Sequence, residues 1–251
     1  MILSPRNLFF FVKRMVENRD KKLYKGIFLR RYKRFFADFQ MEDGSKITAH
    51  CPNPGRMTSC MNEGWESILS LSGNPNRKLP YTWEMIHNGK TWIGVNTVRA
   101  NEIVHEALLK KQIPELALYT EIKREYKVDD SRIDFLLLNP QTSEVCYLEV
   151  KSVTYLEKGV YFFPDAVTAR GKKHLETLSS LIASDTRGVI FFLVQRSDGK
   201  ELRMARHIDP AYASAMDEAV QKGVEVMAWE CSMKPDKIKL KKTLPVPEYS
   251  Q

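Results

Sequence analysis

Ser131-Arg132-Ile133-Asp134-Phe135-Leu136-Leu137-Leu138, a short break, then Val145-Cys146-Tyr147-Leu148-Glu149-Val150-Lys151-Ser152-Val153 is the stretch on which the fold turns. Both runs are apolar and rich in aromatic and β-branched residues, and Asn139-Pro140-Gln141-Thr142-Ser143-Glu144 between them carries turn chemistry, so a β-hairpin is predicted. If it is symmetric about Gln141 and Thr142, Asp134 falls opposite Glu149. Side chains two apart in a strand share a face, so Glu149 and Lys151 project together while Leu148 and Val150 point the other way. Carboxylates placed opposite each other destabilise a sheet unless a cation sits beside them. Lys151 is one such cation, and a divalent metal would be the other. A hard ion such as Mg2+ takes one or two carboxylates and completes its shell with water and phosphate oxygens. A bound ion polarises water and a neighbouring lysine offsets charge developing on a phosphoryl group, so Asp134, Glu149 and Lys151 suit phosphodiester hydrolysis. A structural ion cluster on the wet face of an ordinary hairpin is the alternative.

At 251 residues, 43% hydrophobic and 28% charged, the chain has the composition of a globular protein that buries its own core, which excludes fibrous and disordered classes. Cys51, Cys60, Cys146 and Cys231 are scattered with no close metal-ligand pair, so reduced thiols are expected. No apolar run approaches the roughly 20 residues that span a bilayer, and Leu8-Phe9-Phe10-Phe11-Val12 is too short for a signal peptide. A cytoplasmic location without membrane association follows as the expectation. Residues 1–22 read as an appended extension in which Met15 stands where a shorter chain could begin.

The net charge of +8 is unevenly spread. Residues 1–95 hold 16 Lys and Arg against 8 Asp and Glu, whereas the remainder holds 23 of each. Within the basic half, Arg30-Arg31-Tyr32-Lys33-Arg34-Phe35-Phe36 interleaves cations with rings, as a nucleic-acid surface does when cations meet phosphates and rings stack on bases. The alternative is a solubilising face, and at least one of Phe35 and Phe36 is expected in the core.

Residues 23–95 are expected to form a small β-barrel of OB type. Short strand-like segments run over 24–29, 35–41, 46–51, 65–71, 81–87 and 91–95, with Asn88-Gly89 as a two-residue hairpin signal before the last. Residues 96–231 alternate instead: a helix over 98–111, a strand over 116–127, the hairpin, a helix over 167–183, a buried strand over 188–194, a helix opened by Pro210 and closed by Gly223, and a strand over 224–229. Residues 232–251, rich in Lys and Pro, are expected to be an extended or poorly ordered tail.

This order, with Asp134 on the second core strand and Glu149-x-Lys151 on the third, resembles the PD-(D/E)XK nuclease fold with its mixed central sheet. Longer motifs are more specific. Arg31-Tyr32-Lys33-Arg34-Phe35, Ala49-His50-Cys51-Pro52-Asn53-Pro54-Gly55-Arg56-Met57, Gly94-Val95-Asn96-Thr97, Leu148-Glu149-Val150-Lys151-Ser152-Val153 and Phe163-Pro164-Asp165-Ala166-Val167-Thr168-Ala169-Arg170-Gly171 resemble the sugar fermentation stimulation protein A (SfsA) family. The resemblance implies an OB-like barrel followed by a nuclease-like α/β domain, DNA as partner, and regulation of bacterial carbohydrate metabolism. Pro54 stands where members of that family commonly have threonine.

Carried onto this chain, the nuclease-type motif assigns Asp134 and Glu149 as ligands of Mg2+ or Mn2+, with Lys151 completing the catalytic set. Glu102 matches the place where such folds add an acidic ligand, although Glu102 and its neighbour Glu106 also suit an ordinary helix surface. Arg30, Arg31, Lys33, Arg34, Arg56, Arg170 and Lys173 are the candidate nucleic-acid contacts, with a solvated helix face as the alternative for Arg170 and Lys173. His50 beside Cys51 reads as structural. Three functions are consistent with these residues: a DNA-binding regulator, an active Mg2+- or Mn2+-dependent nuclease on DNA or RNA, and a protein-interaction scaffold with a relic site.

Overall fold

Strands β1 (Leu23–Tyr32), β2 (Phe36–Met41), β3 (Lys46–His50), β4 (Glu66–Leu71), β5 (Tyr81–His87) and β6 (Trp92–Gly94) form one sheet in the order β3-β2-β1-β4-β5-β6 in the computed structural model, which describes residues 22–249. A parallel bridge between His50 and Thr82 brings β3 against β5 and closes the first five strands into a barrel. Alternation supplies its core: Phe28, Ala37, Phe39 and Trp83 point inward, with the Phe28 and Trp83 rings stacked at 4.9 Å. This is the OB-like barrel expected from the sequence.

Two local expectations need correction, and a third lies largely outside the described residues. Inward positions of β2 are Ala37 and Phe39, so neither neighbouring ring joins the core: Phe36 stacks on Tyr32, and Phe35 is 43% exposed over His50. The Asn88-Gly89 hairpin has a four-residue connection, since His87 pairs with Trp92. There the Asn88 carboxamide accepts from the Lys90 and Thr91 amides, and only Gly89 takes a left-handed φ, of 85°. The extension predicted for residues 1–22 falls almost wholly outside the described residues.

Beyond the barrel, α1 (Val98–Leu109) leads into β7 (Glu121–Val128), β8 (Ser131–Leu138) and β9 (Val145–Val153). Helices α2 (Ala169–Ser180) and α3 (Pro210–Gln221) alternate with β12 (Thr186–Val194) and β14 (Glu225–Met233). The sheet runs β15-β14-β12-β9-β8-β7, where β15 is Ile238–Thr243. β12 is parallel to both β9 and β14 while the outer pairs are antiparallel, giving the mixed core of a PD-(D/E)XK-like domain. Val189, Phe191 and Leu193 face α1 and the barrel side, whereas Ile190, Phe192 and Val194 face α2 and α3. Covered on both faces, β12 is a continuous apolar run.

A three-stranded sheet of β10 (Tyr155–Glu157), β11 (Val160–Phe163) and β13 (Leu202–Met204) was not expected. Nor is the segment after residue 231 a loose tail: β14 continues to Met233, β15 pairs with it, and Ile238, Leu244 and Val246 are buried. Ile238 and Leu240 alternate with Lys239 and Lys241 in the period-2 pattern of a half-buried strand, a signal outweighed in the sequence by the surrounding Lys and Pro. β7 and β15 are the two margins of this sheet. Among the described residues, no helix is long and apolar enough to cross a membrane.

Barrel and sheet are tied by specific polar contacts. The buried Arg196 guanidinium grips both oxygens of Asp198 at 2.7 Å and donates to the Thr154 carbonyl and the Ser59 hydroxyl of the barrel domain's long loop. Asp198 also accepts from Asn88, and the Gly94 amide donates to the Gln195 carbonyl.

Candidate metal and nucleic-acid site

The hairpin forms in the predicted register, since Phe135 pairs with Leu148, Leu136 with Tyr147, Leu137 with Cys146 and Leu138 with Val145. One step beyond the last pair, side chains replace the backbone ladder. The Asp134 amide donates to a Glu149 carboxylate oxygen at 3.3 Å, and the Val150 amide donates to Asp134 Oδ2 at 2.8 Å. Lys151 Nζ donates to Glu149 Oε1 at 2.8 Å. Asp134, Glu149 and Lys151 therefore meet at one place, where Glu149 is 3% exposed.

Two helices complete the surroundings. From α1, the Asn101 carboxamide donates to Asp134 Oδ1 at 2.6 Å. From α2, His174 shares the buried face with Gly171, Leu175 and Leu178 and hydrogen-bonds through Nδ1 to Glu149 Oε1. Arg170, one turn earlier, donates from Nε to His174 Nε2 at 3.4 Å. A guanidinium only donates, so Nε2 must accept, and the imidazole proton lies on Nδ1, pointing at Glu149. Sequence reasoning missed Asn101 and the part played by His174 because both arrive from distant segments; the helical spacing of His174 with Leu175 and Leu178 was the available signal.

The two carboxyls are pushed in opposite directions. Burial raises Asp134, and the nearby Glu149 charge raises it further, to about 6, against the hydrogen bonds from Val150 and Asn101. Burial also works against ionisation of Glu149, but the His174 hydrogen bond and the Lys151 charge outweigh it and hold that carboxyl below its ordinary value. A buried, ionised Glu149 beside a carboxyl that resists losing its proton is a donor set short of positive charge. Hard oxygen ligands with that deficit fit a divalent cation, and Asp134 and Glu149 are the residues that would hold it.

Glu102 does not join them through any contact in the structure. It lies one position past Asn101, about 100° around the helix, and is held by Arg99 Nη1 at 2.8 Å. Among the described residues, no group of three or more His, Cys, Asp and Glu side chains has metal-binding spacing.

The predicted basic residues have separate fates. Arg31 is committed to the fold: its guanidinium donates to the carbonyls of Arg34, Asn53, Gly55 and Arg56 at 2.7–3.3 Å. Arg30 extends into solvent, paired with Asp38 at 2.8 Å and lying over the Tyr32 ring. Lys33 and Arg34 are exposed at the β1–β2 turn with left-handed φ of 46° and 65°, and Arg56 is exposed on the following loop. Arg170 and Lys173, with Lys127, Arg132, Asp129 and Asp130, line an open groove that also includes His174.

Lys151 also lines a cleft of about 330 Å3 between the two domains. Arg34 and the 53–55 loop form its barrel wall, and Tyr155, Phe162 and Asp165 belong to the facing wall. Gly55 is required at the seam, because a Cβ there would lie 2.4 Å from the Asp165 carboxylate.

Two sequence families match this chain. Residues 29–95 match the model described as the SfsA N-terminal OB domain, and residues 98–237 that described as the sugar fermentation stimulation protein RE domain. Curated relatives called sugar fermentation stimulation protein homolog include one from Geobacter sulfurreducens, 44% identical over 227 residues that cover 90% of this chain and 97% of the relative. Another, from Pseudoalteromonas atlantica, is 46% identical over 228 residues, covering 89% and 97%. Among solved structures, that of Pyrococcus furiosus SfsA in complex with Ca2+ superposes with a TM-score of 0.82 at 25% identity, covering 90% of this chain and 96% of that one.

Proposed function

The chain belongs to the sugar fermentation stimulation protein family, and from that membership we propose that it is a cytoplasmic DNA-binding protein with a divalent-metal site at Asp134 and Glu149. The convergence of these two carboxylates with Lys151 beside exposed basic surface carries the reading. Pyrococcus SfsA holding Ca2+ supports a hard cation, for which Mg2+ or Mn2+ is the cellular counterpart. Four buried free thiols suit a reducing compartment. The family's name points to carbohydrate metabolism as the process regulated.

In this reading Lys33, Arg34 and Arg56 engage phosphates from the barrel, and Arg170 and Lys173 engage them from α2. Binding is driven by counterion release and falls steeply with salt. Gel-shift titration against NaCl is the test; a flat dependence would count against the assignment.

A second reading, an active nuclease, is favoured by the position of Lys151, which touches Glu149 and also lines the interdomain cleft. A divalent cation, when bound, acidifies water and neutralises phosphoryl oxygens. Asp134 and Glu149 would hold it, His174 fixes the Glu149 carboxylate, and Lys151 would offset negative charge developing on a scissile phosphate. Asp134→Ala and Lys151→Ala should abolish Mn2+-dependent cleavage of labelled DNA and RNA while circular dichroism stays unchanged. Undiminished cleavage in both variants would refute the site.

A further inference from the structure

We propose that the interdomain cleft receives one unstacked nucleotide, so that the protein acts on single-stranded or extruded nucleic acid in preference to intact duplex. The inference rests on the nucleic-acid reading above and names its substrate class.

Size is the first argument. About 330 Å3 suits a ligand of nucleotide size and is far too small for a base pair with its two backbones. Rigidity is the second. The Met57 amide donates to Asp165 Oδ2 at 3.0 Å, Thr97 donates to the Pro52 carbonyl at 2.8 Å, and Arg31 holds the 53–55 loop. Parting the walls to admit a duplex would break the Met57–Asp165 and Thr97–Pro52 bonds, while Arg31 keeps the 53–55 loop from folding aside, so the target must leave its stack to enter.

Lining chemistry is the third. Tyr155 and Phe162 are cross-strand partners on β10 and β11, with ring centres 5.9 Å apart, and both rings are half-buried at the cleft. Such rings accept any base face. Arg34 on one wall and Lys151 on the other place cations on either side of the space, matching the phosphates that flank one nucleotide. Asp165 Oδ1 belongs to the same wall and can accept a base N–H. Lys151, which donates to Glu149, links the cleft to the carboxylate pair.

The test uses the full chain, Ca2+ in place of a catalytic ion, and three labelled DNAs of one sequence: a single strand, its fully paired duplex, and that duplex with one unpaired 2-aminopurine. The single strand and the duplex with the unpaired base are expected to bind at least tenfold more tightly than the paired duplex, with a change in 2-aminopurine fluorescence. Tyr155→Leu should remove roughly tenfold of that preference, and Tyr155→Phe, which keeps the ring, should retain it. Neither should change Ca2+ affinity or the salt slope for duplex. Equal binding of all three DNAs without a fluorescence change overturns this inference and leaves the DNA-binding reading standing. Binding to none of them overturns both, and a preference that Tyr155→Leu leaves intact overturns the cleft as its origin.

Discussion

Asp134 illustrates how one carboxyl links stability to the site. Its folded-state value of about 6, raised by burial and then by Glu149, compares with roughly 3.9 in an unfolded chain. Between about pH 4 and 6 the native protein keeps a proton that the unfolded chain has released. Stability is therefore highest, for this group, below about pH 4 and falls as pH rises through 6, by on the order of 3 kcal/mol. Urea unfolding in EDTA at pH 4 to 8 should show that fall, and Asp134→Asn should flatten it. Ca2+ should oppose it, since a cation that binds only the folded pair stabilises by about 2.7 kcal/mol at a hundredfold excess over Kd. His174 gives a second prediction. Asparagine can mimic the Nδ1 donor and glutamine the Nε2 position, so His174→Asn should retain Ca2+ affinity by calorimetry while His174→Gln loses about 10–100-fold. Asp134, Glu149 and Lys151 were legible because strand periodicity placed them; Asn101 and His174 were not, because nothing local in sequence tells which helix turn lands on a given strand.

Arg31 shows how a strand is joined to a loop. Its fork satisfies carbonyls on four residues, a geometry that an ammonium cannot reproduce. Arg31→Lys should cost about 2–3 kcal/mol in denaturant unfolding and leave the salt slope of DNA binding unchanged. Lys33→Gln and Arg34→Gln should each reduce that slope by about one and spare stability. The sequence run presented all of these residues as one basic patch, since composition cannot separate a guanidinium turned inward from one turned outward. At this scale the hairpin register was readable from its symmetric turn, and β12 from its unbroken apolar run. The small β10-β11-β13 sheet was not, because strands of three or four residues carry little periodicity and β13 joins β11 from some forty residues downstream.

The whole molecule depends on how firmly the barrel and the mixed sheet are held together. Arg196 is 2% exposed and satisfies Asp198, Thr154 and Ser59 at once, so Arg196→Met should leave the half-buried Asp198 carboxylate without its cation, and the Thr154 carbonyl without its donor, at a cost of about 3 kcal/mol. Calorimetry should then resolve two unfolding transitions where the unaltered chain gives one. The two-domain order could be read from the switch in periodicity near Val95, but the joint could not, since Ser59, Asn88 and Arg196 are far apart in sequence. The borders of the sheet carry a further consequence. Lys123 and Lys127 project from β7 and Lys239 and Lys242 from β15, all exposed. A second copy laid along either border would trap these ammonium groups in a growing ribbon, so the chain resists fibrous self-association while both borders stay open.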